Sequence, residues 1–288
     1  MKKKKNKKLK NDPIFATQVL PSNFNQEIDL LRHKLHSFPN ISIDTEFKGL
    51  KRVITRDLPD LEIYEGLKNN VSYTNLREIG ITVSDNGGVI GGIWRFDFIP
   101  SKKARIVECD CIPLSDEFME KFRKVWVDFH GKVKWFTFSS YVDIAYLVAL
   151  LEKQPLPNLI TRLKKQESDE EEDGFVELVQ RWFGRVYDLK VMGKHQEVFL
   201  GNNKFLGLEK LAEMIGVKRL GKEHDAASDS LLTAEILRRF RENNWVSDSD
   251  SDEGFLYLLS YRVCYDPKMV VDEMKFAVEK RGIQDNKV

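Results

Sequence analysis

Asp85-Asn-Gly-Gly88 stands between two runs, Leu76 to Ser84 and Val89 to Phe98, that both read as strands. A glycine-bearing linker of this kind between strand-forming runs predicts a β-hairpin, so any sheet this chain builds contains an antiparallel pair. Ile41-Ser-Ile-Asp-Thr-Glu-Phe47 alternates and predicts a further strand. Further along, the period changes. A helix is predicted around Ser115 to Val127, then a short strand Val133 to Phe138 that runs into a helix Ser140 to Leu151. A helix at 175–183, a strand Arg185 to Leu189 and helices near 207–215 and 226–242 follow. Ser22 or Asn23 is placed to cap an early helix carrying Ile28, Leu31 and Leu35, which Pro39 ends. Strand-to-helix crossings produce parallel pairing, and with the hairpin this predicts an α/β domain: a mixed sheet flanked by helices. No internal repeat interrupts the pattern.

The chain has 288 residues, of which 42% are hydrophobic, enough for one large domain or two small ones. No apolar run approaches the ~18 residues of a membrane span, and the best, Ile144 to Leu151, reads as an amphipathic helix. The N-terminus is lysine-rich with no apolar stretch behind it, so no secretory signal and no membrane partner are expected. Cys109, Cys111 and Cys264 support neither a disulfide scaffold nor a zinc finger, and the expectation is a soluble protein in a reducing compartment. Charge is balanced at +1, but seven lysines fall in the first ten residues. That run reads equally as a nuclear-import address, a nucleic-acid tether or a solvated tail. Glu167 to Asp173 is an acidic block expected in a surface loop, and Asp248 to Glu253 another, expected as a hinge. The organisation predicted is a disordered tail over 1–20, a folded domain over 21–245, and an acidic hinge with a helical extension, Phe255 to Ala277 within it, over 246–288.

Several carboxylates sit where apolar residues would be cheaper. Asp44 and Glu46 are two apart in a strand, so both leave the same face, opposite Ile41, Ile43 and Phe47. Taken alone, such a pair is more often solvated than functional. Asp143 adjoins the stripe Ile144, Leu147, Val148 and Leu151 in the first turn of its helix, where a carboxylate also complements the helix dipole. Asp229 lies in line with Leu232, Ile236 and Phe240, a buried stripe. An unpaired carboxylate there costs several kcal/mol, so it demands a partner: a metal ion on one reading, an arginine or lysine on the other. His224 stands five residues earlier, at the loop-to-helix entry. Together the four acids and the histidine make one constellation, in which the carboxylates are hard oxygen ligands. Mg²⁺ or Mn²⁺ would suit it, and two such ions ~3.5–4 Å apart serve phosphodiester hydrolysis. His224 is placed to deprotonate water.

Four segments then occur in a known order. They are Ile43-Asp-Thr-Glu-Phe47 with Gly49, Trp135-x-x-Phe138 leading to Asp143, Val186-Tyr-Asp-Leu-Lys190, and Gly221-x-x-His224-x-Ala-x-Ser-Asp-Ser-Leu-Leu-Thr233. In this the chain resembles the Caf/Pop-type deadenylases, the ribonuclease-H-like DEDD exonuclease subunits of the Ccr–Not complex, from about Asn23 to Asn243. The resemblance implies a DEDD exonuclease fold over 21–245. It implies Asp44, Glu46, Asp143 and Asp229 as ligands of two divalent cations and His224 as general base. It also implies 3′→5′ hydrolysis of single-stranded RNA with a 3′ poly(A) tail, releasing 5′-AMP, with Not-type scaffold and Ccr-type deadenylase partners in nucleus and cytoplasm. Phe47, Lys48 and Ser139 are the candidate RNA contacts; Lys48, Lys51 and Arg52 after the acidic pair read equally as phosphate contacts or as an ordinary basic loop. Asp188 is expected to shape the fold. Trp135, Phe138, Trp182 and Phe183 are expected in the core.

The chain also departs from the pattern. Lys48 stands where the family has proline, and Phe138-Ser-Ser-Tyr-Val-Asp143 where it has Phe-His-Ser-Gly-Tyr-Asp. Asp225 and Ala227 replace a common Gln and Gly. Two rival readings follow: a catalytically weak or inactive scaffold subunit of the same complex, and a DEDD exonuclease acting on other RNA or DNA.

Overall fold

The computed structural model describes residues 16–48, 60–98, 111–159, 174–193, 206–245 and 252–256. The lysine run, the Glu167–Asp173 block, Lys51, Arg52 and most of the Phe255–Ala277 extension lie outside these residues. Six strands form one mixed sheet in the order β1-β4-β3-β2-β5-β6. They are β1 (Thr17–Val19), β2 (Asn40–Phe47), β3 (Leu76–Ser84), β4 (Ile90–Asp97), β5 (Lys134–Thr137) and β6 (Val186–Asp188). β3 pairs antiparallel with both β2 and β4, while β2–β5, β5–β6 and β1–β4 are parallel. The predicted hairpin is β3–β4. At its turn Gly88 takes φ +86° and its N–H donates to the Asp85 carbonyl at 3.1 Å, a left-handed geometry that favours glycine.

Around the sheet stand α1 (Phe24–Leu35), α2 (Asp60–Asn70), α3 (Asp116–Phe129), α4 (Tyr141–Glu152), α5 (Phe175–Phe183), a single turn α6 (Leu189–Met192), α7 (Leu208–Met214) and α8 (Ala226–Glu242). Ile41 and Ile43 face a core shared with α1, α3, α4 and α5, where Trp135 and Phe183 are buried and Trp182 is partly buried. A second core of Phe136, Tyr187, Leu211, Leu232, Ile236 and Phe240 lies on the α7–α8 side, with Phe138 packed against it. α8 lies close to the sheet because its first turn is small-residue rich. A Cβ added at Gly80 of β3 would stand 1.9 Å from the Ala226 carbonyl oxygen, so that contact requires glycine. Thr82 and Ser230 seal it with a hydroxyl–hydroxyl bond of 2.9 Å.

Four expectations need correction. The tail does not reach residue 20, because Thr17–Val19 adds a parallel edge strand to β4; three residues are too few to show a period. Ile144–Leu151 is not amphipathic, since α4 is buried on all sides from Ile144 to Leu151, between the sheet and neighbouring elements. The acidic hinge is not free at its end: Glu253 accepts from Arg185 Nε at 3.0 Å and Tyr187 Oη at 2.8 Å. The Gly254 N–H donates to the Val186 carbonyl at 2.7 Å, and Leu256 is buried. Cys111 is disulfide-bonded, although its family of three cysteines gave no sign of a bridge. No helix among the described residues is long and apolar enough to cross a membrane.

Candidate active site

The carboxylates predicted from sequence meet at the C-terminal ends of β2 and β5, the position where parallel strands of α/β folds present ligands. Strand alternation puts Asp44 and Glu46 on the face that α8 covers, opposite Gly80 and Glu78 of β3. β5 pairs with β2 only as far as Ser42. The Thr45 N–H therefore lacks a strand partner, and Asp143 from the first turn of α4 takes its place. Asp143 Oδ1 accepts from Thr45 N at 3.0 Å and from Thr45 Oγ1 at 2.6 Å. Burial still pushes the Asp143 carboxyl up to about 7, against those hydrogen bonds.

Asp229 enters from the first turn of α8 and is buried. Both readings of its demand for a partner bear on it, because Arg219 is there: its guanidinium donates to Asp229 Oδ1, and the His224 backbone N–H also favours the Asp229 carboxylate. Burial nevertheless holds Asp229 above the usual carboxylate range. Asp44 is raised most clearly, by burial first and then by the charges of Asp143, Asp229 and Glu46, with Arg219 pulling the other way. Glu46 is raised by burial and by Asp229, with His224 opposing. The four acids thus share one electrostatic site with more negative charge than its own cations balance, which fits a divalent ion among hard oxygen donors.

His224 has φ +58° and a side chain 88% exposed, with Nδ1 3.9 Å from Glu46 Oε1. Ligand atoms of Glu46, His224 and Asp229 lie within 4.8 Å of one another, so the imidazole stands at the mouth of the acidic site. Asp188, wholly buried at the end of β6, accepts from the N–H groups of Ser139 (2.9 Å), Lys190 (2.9 Å) and Ser140 (3.2 Å). It fixes the turn between β5 and α4, in which Ser139 takes φ +57°. Burial pushes its carboxyl up to about 6. Phe47 stacks on Tyr146, ring centroids 4.4 Å apart, and Lys48 is exposed just beyond it. These two and Ser139 border the acids from β2 and from the β5–α4 turn.

Two arginines escaped the sequence reading. Arg219 is one. Arg95 of β4 is the other: it donates to Asp225 (2.7 Å), Asp97 (2.9 Å) and Glu78 (3.1 Å). Asp225 in turn caps α8 by accepting from Ser228 N at 3.0 Å. The carboxylate that replaces the family's usual Gln is therefore neutralised and used.

Comparison with known proteins settles the lineage. No protein-family model matches the chain. Probable CCR4-associated factor 1 homolog 7 of Arabidopsis thaliana is 32% identical over 277 residues, covering 86% of this chain and 94% of the relative. The chain belongs to the CCR4-associated factor 1/Pop2 family. Poly(A) ribonuclease pop2 of Schizosaccharomyces pombe is 28% identical over 81% of this chain. The structure of S. pombe Pop2p in its Mg²⁺- and Mn²⁺-bound form matches with a TM-score of 0.66 at 26% identity, covering 85% of this chain and 99% of that one. Yeast CAF1 co-crystallized with the NOT1 MIF4G domain gives a TM-score of 0.64 at 21% identity, covering 84% of this chain and 96% of that one. The fold is thus that of the Pop2 ribonuclease domain.

Proposed function

We propose that this family member is a metal-dependent 3′→5′ exoribonuclease that shortens poly(A) tails and releases 5′-AMP. The observation that carries the reading is the convergence of Asp44, Glu46, Asp143 and Asp229, from three separate elements, on one site where each carboxyl is held above its ordinary range. Buried carboxyl groups clustered in this way, with Asp44 further raised by the charges of its neighbours, mark a functional site with a place for cations. The metal-bound form of S. pombe Pop2p supports the choice of Mg²⁺ or Mn²⁺. The name of the S. pombe relative supports poly(A) as substrate.

Asp44, Glu46, Asp143 and Asp229 would hold the divalent ions. When bound, these supply positive charge to the attacking and leaving oxygens of the phosphodiester. The remaining work falls to the chain itself. His224 is the general base: its Nδ1 faces Glu46, which leaves Nε2 to take the proton from water. Thr45 fixes the rotamer of Asp143 through two donors to one oxygen, and Asp188 holds the Ser139–Ser140 backbone beside it. Phe47 offers a ring face and Lys48 a charge at the rim for RNA. A Not-type scaffold is the proposed protein partner, on the support of the yeast CAF1–NOT1 complex, and a Ccr-type deadenylase follows from the family resemblance.

The deciding assay uses 5′-labelled RNA ending in a short A-tail, with Mg²⁺ or Mn²⁺, with chelator, and with Asp44→Ala in parallel. Shortening from the 3′ end that pauses where adenosines stop, and that both controls lack, is the expected result. Intact RNA under every condition overturns it and favours the scaffold reading. The specific observation behind that second reading is the altered Ser139–Val142 turn.

A further inference from the structure

Arg219 lies in the loop between α7 and α8, yet its residue is only 5% exposed. One terminal nitrogen donates to Asp229 Oδ1, to Ser228 Oγ at 3.1 Å and to the Lys222 carbonyl at 3.3 Å. Nε donates to Glu209 on α7. The guanidinium therefore ties three things together: a helix, the loop that carries His224, and one oxygen of a carboxylate in the acidic site. Its charge is felt beyond its contacts, since it also lowers the proton affinity of Asp44. Packing alone gives no reason to bury a guanidinium here, whereas a cluster of four carboxylates does.

Resting on the metal reading above, we propose that Arg219 is a positioning residue that acts as a tethered cation, sharing Asp229 with the bound metal. It occupies Oδ1 and keeps Asp229 and the His224 loop assembled while no ion is present. Because Arg219 and the metal supply charge to the same carboxylates, each reduces the other's benefit. Linkage makes that coupling reciprocal. Removing the charge of Arg219 then strengthens metal binding, even as turnover falls because the loop is no longer held. Glu209 is the opposite handle: it neutralises part of Arg219, and losing it leaves more positive charge facing Asp229.

The test is Mn²⁺ titration by calorimetry, with thermal melts in chelator and in saturating Mn²⁺, on the full chain and two variants. Arg219→Gln is expected to bind Mn²⁺ at least ~5-fold more tightly, to melt lower than wild type in chelator, and to gain more from Mn²⁺ than wild type does. Glu209→Gln is expected to move affinity the other way, and it keeps the test decisive where Arg219→Gln fails to fold. A purely structural arginine would lower both melts equally and leave Mn²⁺ affinity unchanged. That outcome, or shifts of the same sign in both variants, overturns the proposal while wild-type Mn²⁺ binding stands. A wild-type protein that binds no Mn²⁺ overturns the metal reading itself, and this one with it.

Discussion

Strand β2 and the loop that enters α8 deliver groups to the same site by different means. β2 lies in the middle of the sheet, hydrogen-bonded to β3 along its whole length and to β5 over its first half. Asp44 and Glu46 inherit their positions from that register, and no side chain has to hold them there. The loop has no such ladder. His224 stands in a left-handed conformation that non-glycine residues seldom take. Its neighbours are fixed by side-chain bonds: Asp225 to Arg95 and Ser228, Arg219 to Lys222, Ser228 and Asp229. In the strand, geometry is a by-product of folding. In the loop it has to be made residue by residue, so the loop is where chemistry can be lost while the fold survives.

Substitutions should separate the two. On the strand, Asp44→Ala should cut metal-dependent cleavage by at least ~10³-fold. Its melting temperature in chelator should stay level or rise, because a repelling charge is gone. A substantially lower melt would show that β2 depends on its acids after all. In the loop, His224→Asn should slow turnover by ~10²–10⁴-fold, the range of a general base. Its exposed side chain should leave stability unchanged, and a large loss of Mn²⁺ affinity by calorimetry would make it a ligand instead. Asp188→Asn tests a third kind of support, a buried carboxylate serving three backbone donors. It should cost about 2–3 kcal/mol in chemical denaturation, with activity falling as the Ser139 turn loosens.

The pH dependence sharpens the contrast further. Asp143 titrates at about 7 when folded against an ordinary 3.8, and Asp188 at about 6. Between the ordinary and folded values the native state holds more protons than the unfolded chain, so stability falls as pH rises. Chelated protein should therefore have its denaturation midpoint lower at about pH 7 than at about pH 5, and Mn²⁺ should flatten the trend by stabilising the ionised acids. The smallest effect expected is that of Thr45→Val. It deletes one of two donors to Asp143 and should cost about 0.5–1.4 kcal/mol, read as up to about tenfold in kcat/KM, with metal affinity the more sensitive measure.

Legibility in the sequence followed the same divide. β2, β3 and α8 announce themselves by period, Asp229 stands out because it lies in line with an apolar stripe, and Asp44 and Glu46 stand out as two acids on one face of a strand. Asp143 and His224 are legible through the motif they complete. Arg219 and Arg95 break nothing. An arginine in a loop or alternating in a half-exposed strand looks ordinary, and only the demand of buried Asp229 for a counter-charge pointed toward one. That demand names a charge, not the residue ten positions upstream that satisfies it. α2 leaves little trace in the sequence, because its short run, Asp60 to Asn70, has few apolar positions and ends in two asparagines. Gly80 carried no signal either, for its necessity arises from a helix that arrives 146 residues later in the chain.

The short segment 252–256 has a consequence of another kind. β6 is the last strand of the sheet, and an open strand edge invites pairing with another molecule. Gly254 occupies the Val186 carbonyl, Glu253 ties down the neighbouring side chains, and Leu256 seals the contact. Those few residues act as a selvedge: among the described residues they cover part of the last strand's edge, leaving less of it open to pairing with another molecule.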